Sequence, residues 1–300
     1  MAKTANPSAK AKQEAKTGGL RNSMFMQVLK RLATDKAAMA GLIILLILII
    51  VSIFAPVFAP YDPEAMDFAS VFKGPSAKHL FGTDSLGRDY LSRIMYAGRY
   101  SLSLGILAAL LGAFAGVFLG TIIGYTGGMV DTIGMRIMDV WAAIPGTLLA
   151  IIISTALGSG FINTIVAMTV GSVPGAVRTV RAMSLKERNM EYLEAAQSIN
   201  CSKMKIMFRH MMPNILSPTI VSTTMGIGRT IMGAAGLAYI GLGIQPPTPE
   251  WGAMLAGSRG QIMDHPYLLL FPGLMIAITV LSVNLLGDGL RDAMDPRLKD

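Results

Sequence analysis

Three long stretches of this chain contain no Asp, Glu, Lys or Arg: residues 37–61, 100–130 and 140–177. An α-helix needs roughly 20 apolar residues to cross a hydrocarbon core of about 30 Å. In lipid every backbone N–H and C=O must be satisfied within the protein, which leaves helices as the natural outcome for such runs. GLIILLILIIVSIFA (41–55) supplies a first span, ended by Pro56 and Pro60. Residues 100–130 supply a second, and 140–177 is too long for one span and right for two, with Gly158-Ser159-Gly160 as the hairpin. Pro145 and Pro174 are expected to kink that pair. Ile215–Tyr239 and Pro266–Gly287 complete the set. Charged residues make up 15% of the chain and hydrophobic ones 52%, against about 25% charged in soluble domains. The reading is an all-α polytopic membrane protein of six transmembrane helices.

The charges that remain set the topology. The N-terminal tail (1–37, with an interfacial amphipathic helix over Ser23–Lys36), residues 125–139, residues 178–213 and the C-terminal tail (291–300) hold roughly three quarters of the 26 Lys and Arg. The positive-inside rule places these segments, and both termini, in the cytoplasm. Residues 60–99 and 240–267 fall outside. This distribution explains the net charge of +8 by contact with a lipid bilayer, and no nucleic-acid partner is expected. Residues 38–99 read as first span plus outer loop, and 100–290 as the five-span core.

Within the second span Ala108, Gly112, Gly116, Gly120 and Gly124 recur every four residues. In lipid no hydrophobic force drives helices together, so a small-residue strip of this kind marks close helix packing. In the fifth span Arg229 interrupts an apolar helix, at a cost of a few kcal/mol or more. It lines a substrate path, pairs across a subunit interface, or is a structural charge satisfied by neighbouring carbonyls.

Glu191–Pro218, EYLEAAQSINCSKMKIMFRHMMPNILSP, is polar and basic between two hydrophobic regions. Leu193, Ala196, Ile199 and Asn200 share one helical face. Asn200 tolerates the left-handed conformation that ends a helix, and a second run, Met204–Met212, is expected to stop at Pro213. Such a helix–break–helix unit is a docking element for a soluble partner.

Glu194-Ala195-Ala196, position 200 and Arg209-His210-Met211-Met212-Pro213-Asn214 resemble the EAA loop of bacterial ABC importer permeases, in the dipeptide/oligopeptide/nickel branch. FAPYDP (58–63), HLFGTDSLGRDYLSRIMYAGRYSL (79–102) and GLGIQPPTPEWGAML (241–255) resemble further blocks of the same branch, specifically its C-type permease. The family usually has Gly where Asn200 stands. Its members more often carry a small residue at Arg229 and Glu at Ala234.

The resemblance implies a type I importer (MetI-like) architecture in the bacterial inner membrane. It implies a sister permease, two cytoplasmic ATPase subunits and an extracytoplasmic substrate-binding protein as partners. Glu194, Ala195, Ala196, Ser198, Asn200 and Pro213 in the loop 182–213 would couple to the ATPases, with the small alanines allowing close contact. The expected cargo is di- or oligopeptides, with nickel or glutathione as alternatives.

No GxxxxGK[ST] run occurs, so ATP and Mg are expected on partner subunits and no cofactor on this chain. His79, His210, His265 and the single Cys201 are scattered, which gives no metal-ligand spacing. Asp84 and Asp89 lack a nucleophile nearby and read as salt-bridged. Asp288 lacks the second intramembrane aspartate a protease needs, so no catalytic residue is assigned. A stand-alone secondary transporter or channel would want acidic or His residues inside its spans, and these have none.

Overall fold

The computed structural model describes residues 24–294. Expectations for the first 23 residues and the last six lie outside the described residues. The chain folds into helices α1 (Met24–Thr34), α2 (Lys36–Ile53), α3 (Ala55–Phe58), α4 (Tyr90–Thr126), α5 (Gly128–Ala142), α6 (Gly146–Leu157), α7 (Phe161–Arg188), α8 (Glu191–Ser198), α9 (Lys203–Lys205), α10 (Met212–Tyr239), α11 (Trp251–Gly257) and α12 (Tyr267–Met294). No strand forms among the described residues; Thr83 and Asp89 make one isolated bridge.

The 37-residue α4 is the axis of the bundle. At 1.5 Å per residue it is roughly 55 Å long, and it starts in one apolar cluster and ends in another. Its first turns, Tyr90 and Ile94, pack with Trp251 of α11 and Leu268 of α12. Its last turns, Val117 and Tyr125, pack with Leu193 and Met211. Between them the strip faces α7. A Cβ on Gly116 would lie 2.6 Å from Ala176 Cβ, on Gly120 2.8 Å from the Val177 carbonyl, and on Gly124 2.6 Å from Ser184 Cβ; on Gly112 it would strike the Ser172 hydroxyl. The opposite side of α4 shows Leu107, Leu110, Leu111, Phe114 and Phe118 outward. Apolar exposure on that scale suits lipid or another subunit, not water.

α4 begins at Tyr90, ten residues before the uncharged run. Asp89 accepts from the Ser92 amide (2.9 Å) as its N-cap, while Leu86, Gly87 and Arg88 belong to the preceding turn, where Gly87 takes φ +72°. Asp84 and Asp89 are indeed paired: Asp84 with Arg88 (2.7 Å) and Arg93 (3.4 Å), Asp89 with His79 (2.9 Å).

Span three also starts earlier than expected, while span four starts where the hairpin predicts. α5 is helical from Gly128, and it bends by 75° into α6 at Ala143–Pro145. The hairpin at 158–160 then leads into α7, which continues through Pro174. By length and apolarity α2, α4 and α12 can each cross a membrane, and the bent α5–α6 pair makes a fourth crossing if it counts as one. α7 and α10 are 28 residues each but are too rich in Ser, Thr, Gly and charge to pass on composition. The expected six therefore do not emerge from apolarity alone. At the far end, α1 and α2 meet at Asp35, which caps α2 through the Ala37 (2.9 Å) and Ala38 (3.2 Å) amides. That corner packs on Gly289 of α12.

Candidate functional site: the 189–212 loop and the α10 cavity

α8 forms because Glu191 and Glu194 sit in its first turn, where negative charge favours the helix dipole. Its end is a Schellman motif. The Cys201 amide donates to the Ala196 carbonyl (3.1 Å) and the Asn200 amide to the Gln197 carbonyl (2.9 Å), with Asn200 at φ +59°. That is the geometry Gly or Asn is selected for. Glu194, Ala195 and Ser198 face outward; the Ser198 hydroxyl donates to the Glu194 carbonyl.

Ala196 does not face outward. It is buried beside Leu193, against Val180, Ile206, Met207 and Met211, so its small size serves the bundle's own packing. Ile199 leaves that face because the helix has ended at Ser198, and it stands 77% exposed. Ile199 and Met204 (61% exposed) were missed by sequence reasoning as outward residues; the helix stop at Asn200 was the available signal.

Pro213 does not stop the second run. From Lys203 the chain is helical without interruption to Tyr239, through a π-turn at Ile206–Met211. The Met212 amide donates to the Met207 carbonyl, five residues back. Pro213 then stands in the first turn of α10. The ladder changes from the wide to the α spacing at a residue with no N–H to donate, so the proline breaks no bond.

A polar relay ties α8 to both neighbouring helices. Tyr192 donates to Glu187 of α7 (2.6 Å) and accepts from Asn214 of α10 (2.7 Å). Burial, then the bond to Glu187, pushes the phenol up to about 12.

α10 carries the loop's continuation into a cavity of about 940 Å³ between α4, α6, α7 and α10. Thr219, Ser222, Thr223, Gly226, Arg229, Thr230, Gly233 and Gly236 line it from α10, at the three- and four-residue steps of one helix face. That stripe was legible in the sequence; only Arg229 was singled out. Arg229 is exposed into the cavity, with no ion pair or hydrogen bond from its side chain among the described residues. From α7, Gly171, Ser172 and Gly175 line the opposite wall. Gly112 borders the cavity, while Gly116, Gly120 and Gly124 lie in the α4–α7 seam.

Residues 116–300 match the family described as binding-protein-dependent transport system inner membrane component, and residues 23–75 match the N-terminal TM domain of oligopeptide transport permease C. The glutathione transport system permease protein GsiD of Escherichia coli O1:K1 is 45% identical over 271 residues, spanning 90% of this chain and 89% of its own. The protein of the same name from Shigella boydii serotype 4 matches at the same identity and extent. A structure of the MetNI methionine ABC transporter in an inward-facing conformation aligns with a TM-score of 0.56 at 18% identity, over 67% of this chain and 96% of its own; that likeness is one of fold. The chain belongs to the binding-protein-dependent transport permeases, in the peptide/oligopeptide/nickel branch, and is an inner-membrane permease subunit of an ABC importer.

Proposed function

We propose that this permease is half of a peptide-import path, paired with a sister permease, driven by two cytoplasmic ATPase subunits and fed by an extracytoplasmic binding protein. The observation that carries the proposal is the unbroken helical run from Lys203 to Tyr239, which joins the exposed α8 unit to the cavity wall. Six crossings follow if α7 and α10 span with their polar faces toward the cavity rather than lipid. Both termini and α8 then lie in the cytoplasm, on the basic side.

In this scheme ATP and Mg bind the partners, and this chain catalyses nothing. ATPase closure pulls on Glu194, Ala195, Ser198 and the apolar Ile199 and Met204. Asn200 fixes the turn behind them, Ala196 anchors α8 to the bundle, and Pro213 starts the rod that swings the cavity wall. Among the described residues the cavity lining has no His, Cys or carboxylate, which suits peptide over a bare metal ion. Glutathione, itself a tripeptide and the cargo in the relatives' names, is the second reading.

The test is ATP-driven uptake in proteoliposomes holding the full complex. Glu194→Lys and Ala195→Leu should leave insertion intact, keep ATP hydrolysis, and cut uptake at least tenfold. Normal uptake in both would overturn the docking role.

A further inference from the structure

We infer that the cavity recognises its cargo as a zwitterion, with Arg229 holding the carboxylate and the hydroxyls around it taking the amino and amide N–H groups. This deepens the reading of the cavity as half of a peptide path and rests on it.

The charge comes first. Among the described residues, Arg229 is the only charged one lining the cavity. α4, α6 and α10 contain no Asp or Glu, and in α7 the one carboxylate, Glu187, sits in the last turn and is engaged by Tyr192. A guanidinium in a membrane cavity is costly, and nothing among the described residues offsets it. A planar, permanently charged fork suits a carboxylate through two parallel hydrogen bonds.

The hydroxyls come second. Ser172 donates to the Thr169 carbonyl (2.8 Å) and Thr179 to Gly175 (2.9 Å) on α7. On α10, Thr219 donates to Ile215 (2.8 Å), Ser222 to Thr219 (3.0 Å), Thr223 to Thr219 (2.7 Å) and Thr230 to Gly226 (3.0 Å). Each has an acceptor on its own helix for its single proton, Thr219 also the Met183 sulfur of α7 (3.8 Å). What it turns to the cavity is oxygen lone pairs, which accept and do not donate. One fixed cation within a field of acceptors matches a ligand carrying one carboxylate and several N–H donors. A neutral sugar can accept from the guanidinium but offers it no opposite charge. A cationic cargo would be repelled by it.

The experiment uses the complete transporter in proteoliposomes, with trialanine and trialanine C-terminal amide as probes, each at a concentration saturating the binding protein. Uptake of each is measured per ATP hydrolysed in the wild type, R229Q and R229K. The wild type should carry the acid about tenfold faster than the amide, as expected for a charge-assisted contact. R229Q should bring the ratio near one, and R229K should restore most of it. An acid-to-amide ratio unchanged in R229Q, with uptake intact, overturns the inference and leaves the peptide path standing. Loss of subunit pairing in R229Q places the cation in the interface and also overturns it. No binding-protein-dependent uptake of either probe by the wild type overturns the peptide path itself, and the inference with it.

Discussion

At residues 79–93 the charges of Asp84, Arg88, Asp89 and Arg93 are buried and paired with one another or with His79; at 189–212 the charges point outward and apolar side chains hold the chain in place. In the first loop Asp84 sits between Arg88 and Arg93, and Arg93 reaches on to the Pro63 (3.0 Å) and Pro247 (3.4 Å) carbonyls. One guanidinium thus fastens two loops and the start of α4. In the second, Glu191, Glu194, Lys203, Lys205 and Arg209 are all exposed, while Leu193, Ala196, Ile206, Met207 and Met211 are buried. The 79–93 corner satisfies its buried charges within itself. The second presents charge and two apolar side chains, Ile199 and Met204, to whatever covers it.

The contrast can be broken at three points, in falling order of effect. Asp84→Ala should be the most damaging, because it leaves Arg88 and Arg93 buried without their carboxylate. Removing one partner of a buried pair costs about 3–5 kcal/mol. A large fall in thermal stability of the purified complex is expected, along with protease cleavage in 59–89; Asp84→Asn should keep part of the loss back. An unaltered melting temperature would mean the outer loop does not depend on its ion pairs.

Ala196→Leu comes second. It overpacks the apolar cluster behind α8, at about 1–3 kcal/mol, whereas Ala195→Leu on the exposed side should stay within about 0.5 kcal/mol. Equal melting temperatures for the two would show that α8 does not seat on Ala196. Asn200→Val is the smallest, about 1–2 kcal/mol for forcing a branched side chain into the left-handed region, with Asn200→Gly near neutral. Limited proteolysis of 189–205 reads the difference, and identical digestion of the two variants would remove the conformational argument for Asn200.

Much of the bundle could be read from residues alone. The hairpin at Gly158–Gly160, the bend at Pro145, the glycine face of α4 and the left-handed Asn200 all follow from local chemistry, and the structure has each of them. What escaped depends on context. Pro213 looked like a stop because the rule about prolines assumes α geometry upstream, and nothing in Ile206–Met211 announces a π-turn. Ala196 looked like a docking surface because a small residue on a short helix reads the same from either side. α7 and α10 turn a face of small and polar residues to the cavity, so averaging over their length hides both the helix boundary and the cavity. The first residue of α4 lies ahead of the uncharged run because its N-cap, Asp89, and its early residues Arg93 and Arg99 are charged.

A π-turn winds one more residue into a revolution than an α-helix needs. At 3.6 residues per revolution, one residue is worth about 100° of azimuth. The turn at Ile206–Met211 therefore sets the phase of everything beyond it, as a spacer washer sets the clocking of a threaded shaft. Regular winding there would keep the same helix in the same place and turn a different set of side chains toward the cavity.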